Sequence, residues 1–295
     1  MANSLLTVSV IAREALATLY EQCHMLGLVH RDYSGDFTGN SGDTITIRKP
    51  ATFTVNEFDR STGIVLQDAT EGSTSVTLDT IPDVSFAVTA EDWSLKISDF
   101  SEQFLAPAME AVSQWFDRKI LALRTDVTQT TTYDPTAAKP SLAMIQAGKI
   151  LNDRKVPLTQ RYGVWDTAAT ATFQADPLFH DASMTGDDGT ALREASFGRK
   201  HGLDNYMSQN VADGNSLVFH RSAFAAVTRT LPLPRGIGQG MGSIVNYKGL
   251  GLRVIYGYDQ SKKQDVVSID TLAGFKTLDA ARALTVTEAA PDTGA

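Results

Sequence analysis

Five histidines are the first residues in this chain with the chemistry to act: His24, His30, His180, His201 and His220. None sits in an H-E-x-x-H pattern or at another paired spacing that would bring two imidazoles onto one metal ion. Asp181 follows His180 directly, but neighbours on an extended chain point to opposite sides. Asp187-Asp188-Gly189 has the opening of a calcium loop without the acidic spacing and closing glutamate that such a loop needs. The glycines of Gly236-Ile-Gly-Gln-Gly-Met-Gly242 could cradle a phosphate, yet Pro232 and Pro234 precede them and a strand is expected next. A dinucleotide fingerprint needs the reverse, a strand before and a helix after. No G-x-S-x-G elbow places a nucleophile. Asp36 and Asp43 lie in glycine-rich chain with no apolar pocket to raise a carboxyl pKa. Trp93, Trp115 and Trp165 are too scattered for a base-stacking platform. The reading is therefore of no catalytic residue, no cofactor and no metal, and so of no enzyme.

Bulk properties agree with a structural role. The 295 residues, 42% hydrophobic and 20% charged, can bury a good core as one large domain or two. A formal charge of −8 argues against a nucleic-acid-binding module, which presents a basic face. Cys23 is the single cysteine, so no intrachain disulfide or cysteine zinc site can form, which fits synthesis in a reducing cytoplasm. Met1 to Arg13 lacks the basic-then-apolar order of a signal peptide, and no apolar run has membrane-spanning length.

The elements expected to position the chain begin with one long helix, Asp99 to Val127. Leu105, Ala108, Met109, Val112, Trp115, Phe116, Ile120, Leu123 and Val127 recur at steps of three and four, one apolar stripe. Glu110, Ser113, Gln114, Asp117, Arg118, Lys119 and Arg124 should face water or a partner. Pro107 should kink this helix or mark a second start. Thr7 to Leu28 reads as another helix closed by Gly27, Ser141 to Asn152 as a third and Thr167 to Ala175 as a short one. Ala223 to Thr228 also reads as a short helix, and Thr128 to Lys139 as a linker. Strands are expected at Asp43 to Pro50, around Val76 and Leu78, and at Val84 to Val88. Others fall at Tyr162 to Trp165, Leu203 to Val211, Ser216 to Phe219, Gly251 to Tyr258 and Gln264 to Thr271. Asp181 to Arg193 and Gly236 to Gly242 are expected as exposed loops, and the tail from Thr287 as disordered. The class is α+β.

Between the first two strands lie some 25 residues of polar, turn-rich chain. A stretch that long is unusual in a compact domain, and a thin hairpin polar on both faces cannot bury itself. It is expected to reach onto something else. Its charges, Arg48, Lys49, Glu57, Asp59, Arg60 and Glu71, mix both signs and suit contacts that set register between subunits.

The ordered set of segments resembles the major capsid proteins of tailed bacteriophages with the HK97-like fold, in particular the P22 coat protein-like subgroup. Gly42-Asp-Thr-Ile-Thr-Ile-Arg-Lys-Pro-Ala-Thr-Phe53 resembles the entry to that family's E-loop. Asp83 to Leu95 and Asp99 to Met109 resemble the strand and lead-in to its spine helix. Val218 to Phe224, Leu231 to Pro234, Tyr247 to Val254 and Lys263 to Asp270 resemble its closing segments. The resemblance runs from about Asn3 to Val286, with no room for the domain that the P22 coat protein carries as an insertion. It implies an N-terminal arm at 1–43, an E-loop with flanking strands at 44–88 and a P-domain with its spine helix at 89–140. A mainly A-domain stretch would follow at 141–242, closing strands at 243–286 and a disordered tail at 287–295. It also implies self-assembly into hexamers and pentamers of an icosahedral head enclosing double-stranded DNA, which is packed without sequence-specific contacts. Expected partners are further copies, a separate scaffolding protein, a portal and decoration proteins, with assembly in the bacterial cytoplasm and no membrane. The alternative is another extended virion or surface protein, such as a decoration protein or an adhesin.

Overall fold

The computed structural model describes residues 11, 13–15, 24–31, 43–49, 53–58, 60, 61, 63, 64, 66, 68, 72–88, 104, 106–137, 139–176, 198–212, 214–234, 236, 241–247, 250–262 and 264–289. Two features dominate them: a helix seated among small sheets, and one larger sheet with two helices on one face. Among the described residues the α-helices with both ends given are α1 (His24–Leu28), α2 (Ala106–Ala122), α3 (Leu142–Asp153) and α4 (Thr167–Gln174), and residues 11 and 13–15 are helical too. The strands begin with β1 (Thr44–Lys49), β2 (Gly72–Thr77), β3 (Asp83–Val88), β4 (Thr130–Tyr133) and β5 (Arg161–Trp165). Then come β6 (Arg199–Lys200), β7 (Leu203–Met207), β8 (Ser216–His220), β9 (Phe224–Arg229) and β10 (Gly242–Tyr247). The last four are β11 (Leu250–Asp259), β12 (Gln264–Asp270), β13 (Leu272–Thr277) and β14 (Ala283–Glu288).

The strands form four sheets, β1-β2, β10-β11-β12-β3, β13-β9 and β4-β14-β8-β5-β7-β6. In the last of these β4, β14, β5 and β7 run one way, and β8 and β6 run against them. This sheet draws strands from residues 130 to 288, because β14 lies between β4 and β8. β3 leaves the first hairpin and edges the four-stranded sheet through its pairing with β12.

α2 carries the expected stripe. Met109, Val112, Phe116 and Ile120 are buried with Met25, Leu26 and Val29 on one side and Leu252, Val254 and Ile269 on the other. Each such side chain contributes roughly 1.5–3 kcal/mol on burial. Trp115 and Phe116 both meet the Phe275 ring edge-on, at centroid distances of 5.8 and 5.9 Å, which ties the helix to β13. Of the two roles expected for Pro107, a kink or a start, the helix bounds fit the start. The helix begins at Ala106, so Pro107 falls in its first turn, where a missing N–H costs nothing. The proposed lead-in at 99–103 lies outside the described residues.

Two positions assigned to the polar face are inside. Ser113 and Asp117 are buried, and Asp117 accepts a hydrogen bond from the Met25 backbone N–H at 3.2 Å, pinning α1 to α2. The remaining outer face is a ladder: Gln114 donates to Glu110 at 3.3 Å, Arg118 to Gln114 at 3.2 Å and Arg118 to Asn210 at 3.4 Å.

Other expectations change where tertiary pairing outweighs local preference. Ala223 to Thr228 is largely the strand β9, because Ala225 and Ala226 are buried against β13 in a two-stranded ladder. The linker expected at Thr128 to Lys139 contains β4, paired in parallel with β14. The tail expected from Thr287 begins too early, since β14 runs through Thr287 and Glu288 and Ala289 donates to the Tyr133 carbonyl at 2.7 Å. Gly27 lies within α1 rather than after it. In α3, Leu142 and Ile145 point outward, and Ala143, Met144, Ala147 and Leu151 form the buried face. The loops expected at 181–193 and 237–240 lie outside the described residues.

α3 and α4 cover one face of the six-stranded sheet, where Met144, Leu151, Trp165, Phe173, Leu203 and Leu284 form a second core. Asp166 caps α4 by accepting from the Ala169 N–H at 3.0 Å, and its other acceptances, from Ser216 and Gly214, fasten β5 to the start of β8.

Candidate assembly surface

The expected hairpin exists. β1 and β2 pair antiparallel in register, Thr44 opposite Thr77 through Lys49 opposite Gly72. Ile45 and Ile47 turn to one side as their alternation requires and pack beside Val76, Leu78, Val227 and Leu272. The Thr44 and Thr77 hydroxyls meet at 2.9 Å, the Leu78 N–H reaches the Asp43 carbonyl at 2.9 Å, and Thr80 bridges to Ala273.

The base of the hairpin is held at close range. A Cβ added at Gly274 on β13 would lie 2.1 Å from the Thr77 carbonyl oxygen, so only glycine permits this approach. An isolated two-stranded ribbon is marginal in water, and here the β13-β9 sheet supplies the missing support.

Beyond the ladder the arm is less polar than its sequence implied. Phe53, Val55, Phe58, Ile64 and Leu66 are 66% to 95% exposed, which corrects the expectation of two polar faces. The described part of the arm presents these large apolar groups to solvent while its base is seated on the body. Exposed apolar side chains gathered on one element mark an interaction surface. All five lie in the stretch read from sequence as polar and turn-rich. The signal available was the short apolar run Ile64-Val65-Leu66 within it.

Of the six charged candidates, Arg48 and Lys49 close β1 opposite Ser73 and Gly72. Glu57 and Arg60 stand exposed along the arm. Asp59 and Glu71 lie outside the described residues, as do the side chains of Arg48 and Lys49.

Among the described residues no group of three histidine, cysteine or acidic side chains is placed to hold a metal ion. Trp165 is buried and donates from Nε1 to Asn205 at 2.9 Å, a packing role. Gly163 makes room for that contact, since a Cβ there would lie 2.8 Å from the Asn205 oxygen. His220 accepts at Nδ1 from the Ser222 N–H at 3.2 Å, and its pKa is lowered by burial, then by Arg282 and Arg161. Among the described residues no helix is long and apolar enough to cross a membrane.

No protein-family model and no curated protein matches the chain. Solved structures do. A structure from Mycobacterium phage Che8 superposes with a TM-score of 0.67 at 17% identity, covering 100% of this chain and 95% of that one. The capsid structure of cyanophage P-SCSP1u gives a TM-score of 0.62 at 13% identity, covering 84% of each chain. The asymmetric unit of the mature capsid of bacteriophage PhiM1 gives 0.59 at 13% identity, covering 85% of this chain and 86% of that one. The chain has the HK97-like capsid fold.

Proposed function

We propose that this chain is the major capsid protein of a tailed phage, assembling into hexamers and pentamers of an icosahedral head around double-stranded DNA. One observation carries the reading: a hairpin seated at its base displays unpartnered apolar side chains, on a fold whose solved examples include mature phage capsids. A shell needs each subunit to overlap its neighbours, and a projecting arm gives a large contact from few residues. Phe53, Val55, Phe58, Ile64 and Leu66 supply the apolar part of that contact. Arg48, Lys49, Glu57, Asp59, Arg60 and Glu71 then set register between subunits.

In this reading 44–88 is the E-loop with its flanking strands, 89–140 the P-domain, 141–242 mainly the A-domain and 243–286 the closing strands. The P22-like subgroup, a scaffolding protein, a portal and decoration proteins belong to the same proposal. The role is structural, without catalysis, and the protein resides in the virion. The fold lends no support to a decoration protein or adhesin.

Negative-stain microscopy of the purified protein, alone and with a scaffolding protein, tests the assignment. Shells or capsomer rings are expected, and a stable monomer at high concentration would overturn it. Deleting Asn56 to Glu71 should leave a folded subunit that forms no shell. Normal shells from that variant would remove the arm from assembly.

A further inference from the structure

Positive charge gathers at the end of the six-stranded sheet where β5 and β7 begin and β8 finishes. Arg154, Arg161, Arg199, Arg221 and Arg282 lie on the elements that meet there, against Asp153, Asp204 and Asp279. This occurs in a chain with 34 acidic and 26 basic residues.

A concavity of about 700 Å³ opens at that end, between the last turns of α3, the 154–160 connection and the turn joining β6 to β7. Ile145, Lys149, Leu158, Arg161, Arg199 and His201 line it. Arg161 is only 4% exposed, and its guanidinium donates to the carbonyls of Val156 at 2.6 Å and Pro157 at 2.7 Å. Among the described residues no carboxylate pairs with it, and burial lowers its pKa. A desolvated cation satisfied only by carbonyl oxygens favours an anion beside it.

The two outer cations can serve the same anion. Lys149 pairs with Asp153 at 2.8 Å and Arg199 with Asp204 at 3.4 Å, both in exposed settings. Such exposed pairs add little to stability, so either cation can turn to a further carboxylate at little cost. The lining residue His201 adopts a positive φ of 51° without being glycine, and Lys155 and Gln160 in the adjoining connection adopt 57° and 54°.

The lining also narrows the occupant. Ile145 and Leu158 are 46% and 69% exposed beside the cations, and protein side chains cover such groups where a phosphate backbone would leave them wet. A second copy offers the matching charge at the other edge of the same sheet. There β4 runs into a turn headed by Asp134, an exposed carboxylate that accepts from the Thr136 N–H at 2.8 Å and hydroxyl at 2.6 Å. The concavity reaches from α3 and the start of β5 to the edge strand β6, and the carboxylate follows the edge strand β4, so the two lie apart on one subunit and can repeat around a ring as a head-to-tail contact.

We infer that the Asp134 carboxylate of a second copy seats in this concavity against Lys149 and Arg199. The inference rests on the shell reading and names one of its contacts.

The test uses full-length subunits assembled from a mixture of light and heavy-isotope protein. Zero-length carbodiimide coupling should join Lys149 of a light copy to Asp134 of a heavy one. Lys149→Glu with Arg199→Glu should keep the wild-type melting temperature and lose rings and shells, and adding Asp134→Lys should restore them. Arg161 is left in place because it clamps its own loop. Normal assembly of the charge-reversed pair, or coupling confined within single copies, overturns the inference. So does loss of binding to a short DNA duplex, a property the wild type would first have to possess, with assembly unchanged. If the wild type forms neither rings nor shells, the shell reading fails first and this contact with it.

Discussion

Arg253 and Asp270 face each other across β11 and β12, and the guanidinium meets both carboxylate oxygens, Nε to Oδ1 at 2.8 Å. Arg253 also donates to the Pro232 carbonyl at 2.6 Å, so one side chain ties two strands to the chain that leaves β9. Removing either partner leaves the other charge largely buried, and Asp270→Ala should cost about 3–5 kcal/mol in urea denaturation. Replacing both residues with apolar ones should cost less than the two single losses combined. His220 gives a second test. Ser222 accepts from Arg282 at 2.7 Å and lies 2.8 Å from Nδ1, which suits a neutral imidazole accepting there. Its folded pKa is lowered by burial, then by Arg282 and Arg161, from an ordinary 6.5. The unfolded chain therefore takes up the proton first. Stability from this site is unchanged above pH 6.5 and falls as the pH drops below it. The melting temperature of the wild type should fall more between pH 7 and pH 5.5 than that of His220→Gln.

The hairpin and its seat belong to the scale of elements. Gly274→Ala would force a Cβ against the Thr77 carbonyl and the Leu78 Cα, both backbone atoms that cannot swing aside. The end of β2 must then lift from β13, at a cost of about 1–3 kcal/mol. Amide exchange at Leu78 and Thr80 should quicken, and assembly should weaken although the arm itself is unaltered. Much of this element was legible beforehand. Ile45, Ile47 and Val76 alternate with threonine and serine, so strand and register could be read from period alone. The same rule failed at β9, where adjacent alanines look helical and only burial against β13 makes them a strand. It failed again at β4, three threonines whose partner lies about 150 residues away. The concavity left no trace in sequence, since Lys149, Arg161 and Arg199 meet only through the order of strands. Asp117 is a single charged residue on an amphipathic helix, and nothing local distinguishes it from its exposed neighbours.

For the whole molecule, the sheet topology sets a constraint on folding order. β4, at residues 130–133, finds its parallel partner only in β14, at 283–288. The contact is reinforced by Thr285 donating to the Gln129 carbonyl at 2.9 Å. β14 is also the neighbour of β8, so the six-stranded sheet cannot close until β14, at residues 283–288, has been made. Pairings of such sequence separation pay their loop-closure entropy late and slow folding. A nascent chain that has made β4 therefore carries that strand without its partner through about 150 further residues of synthesis. Translation of β14 becomes a timing gate: until residue 288 is made, the chain has no finished six-stranded sheet to offer a partner.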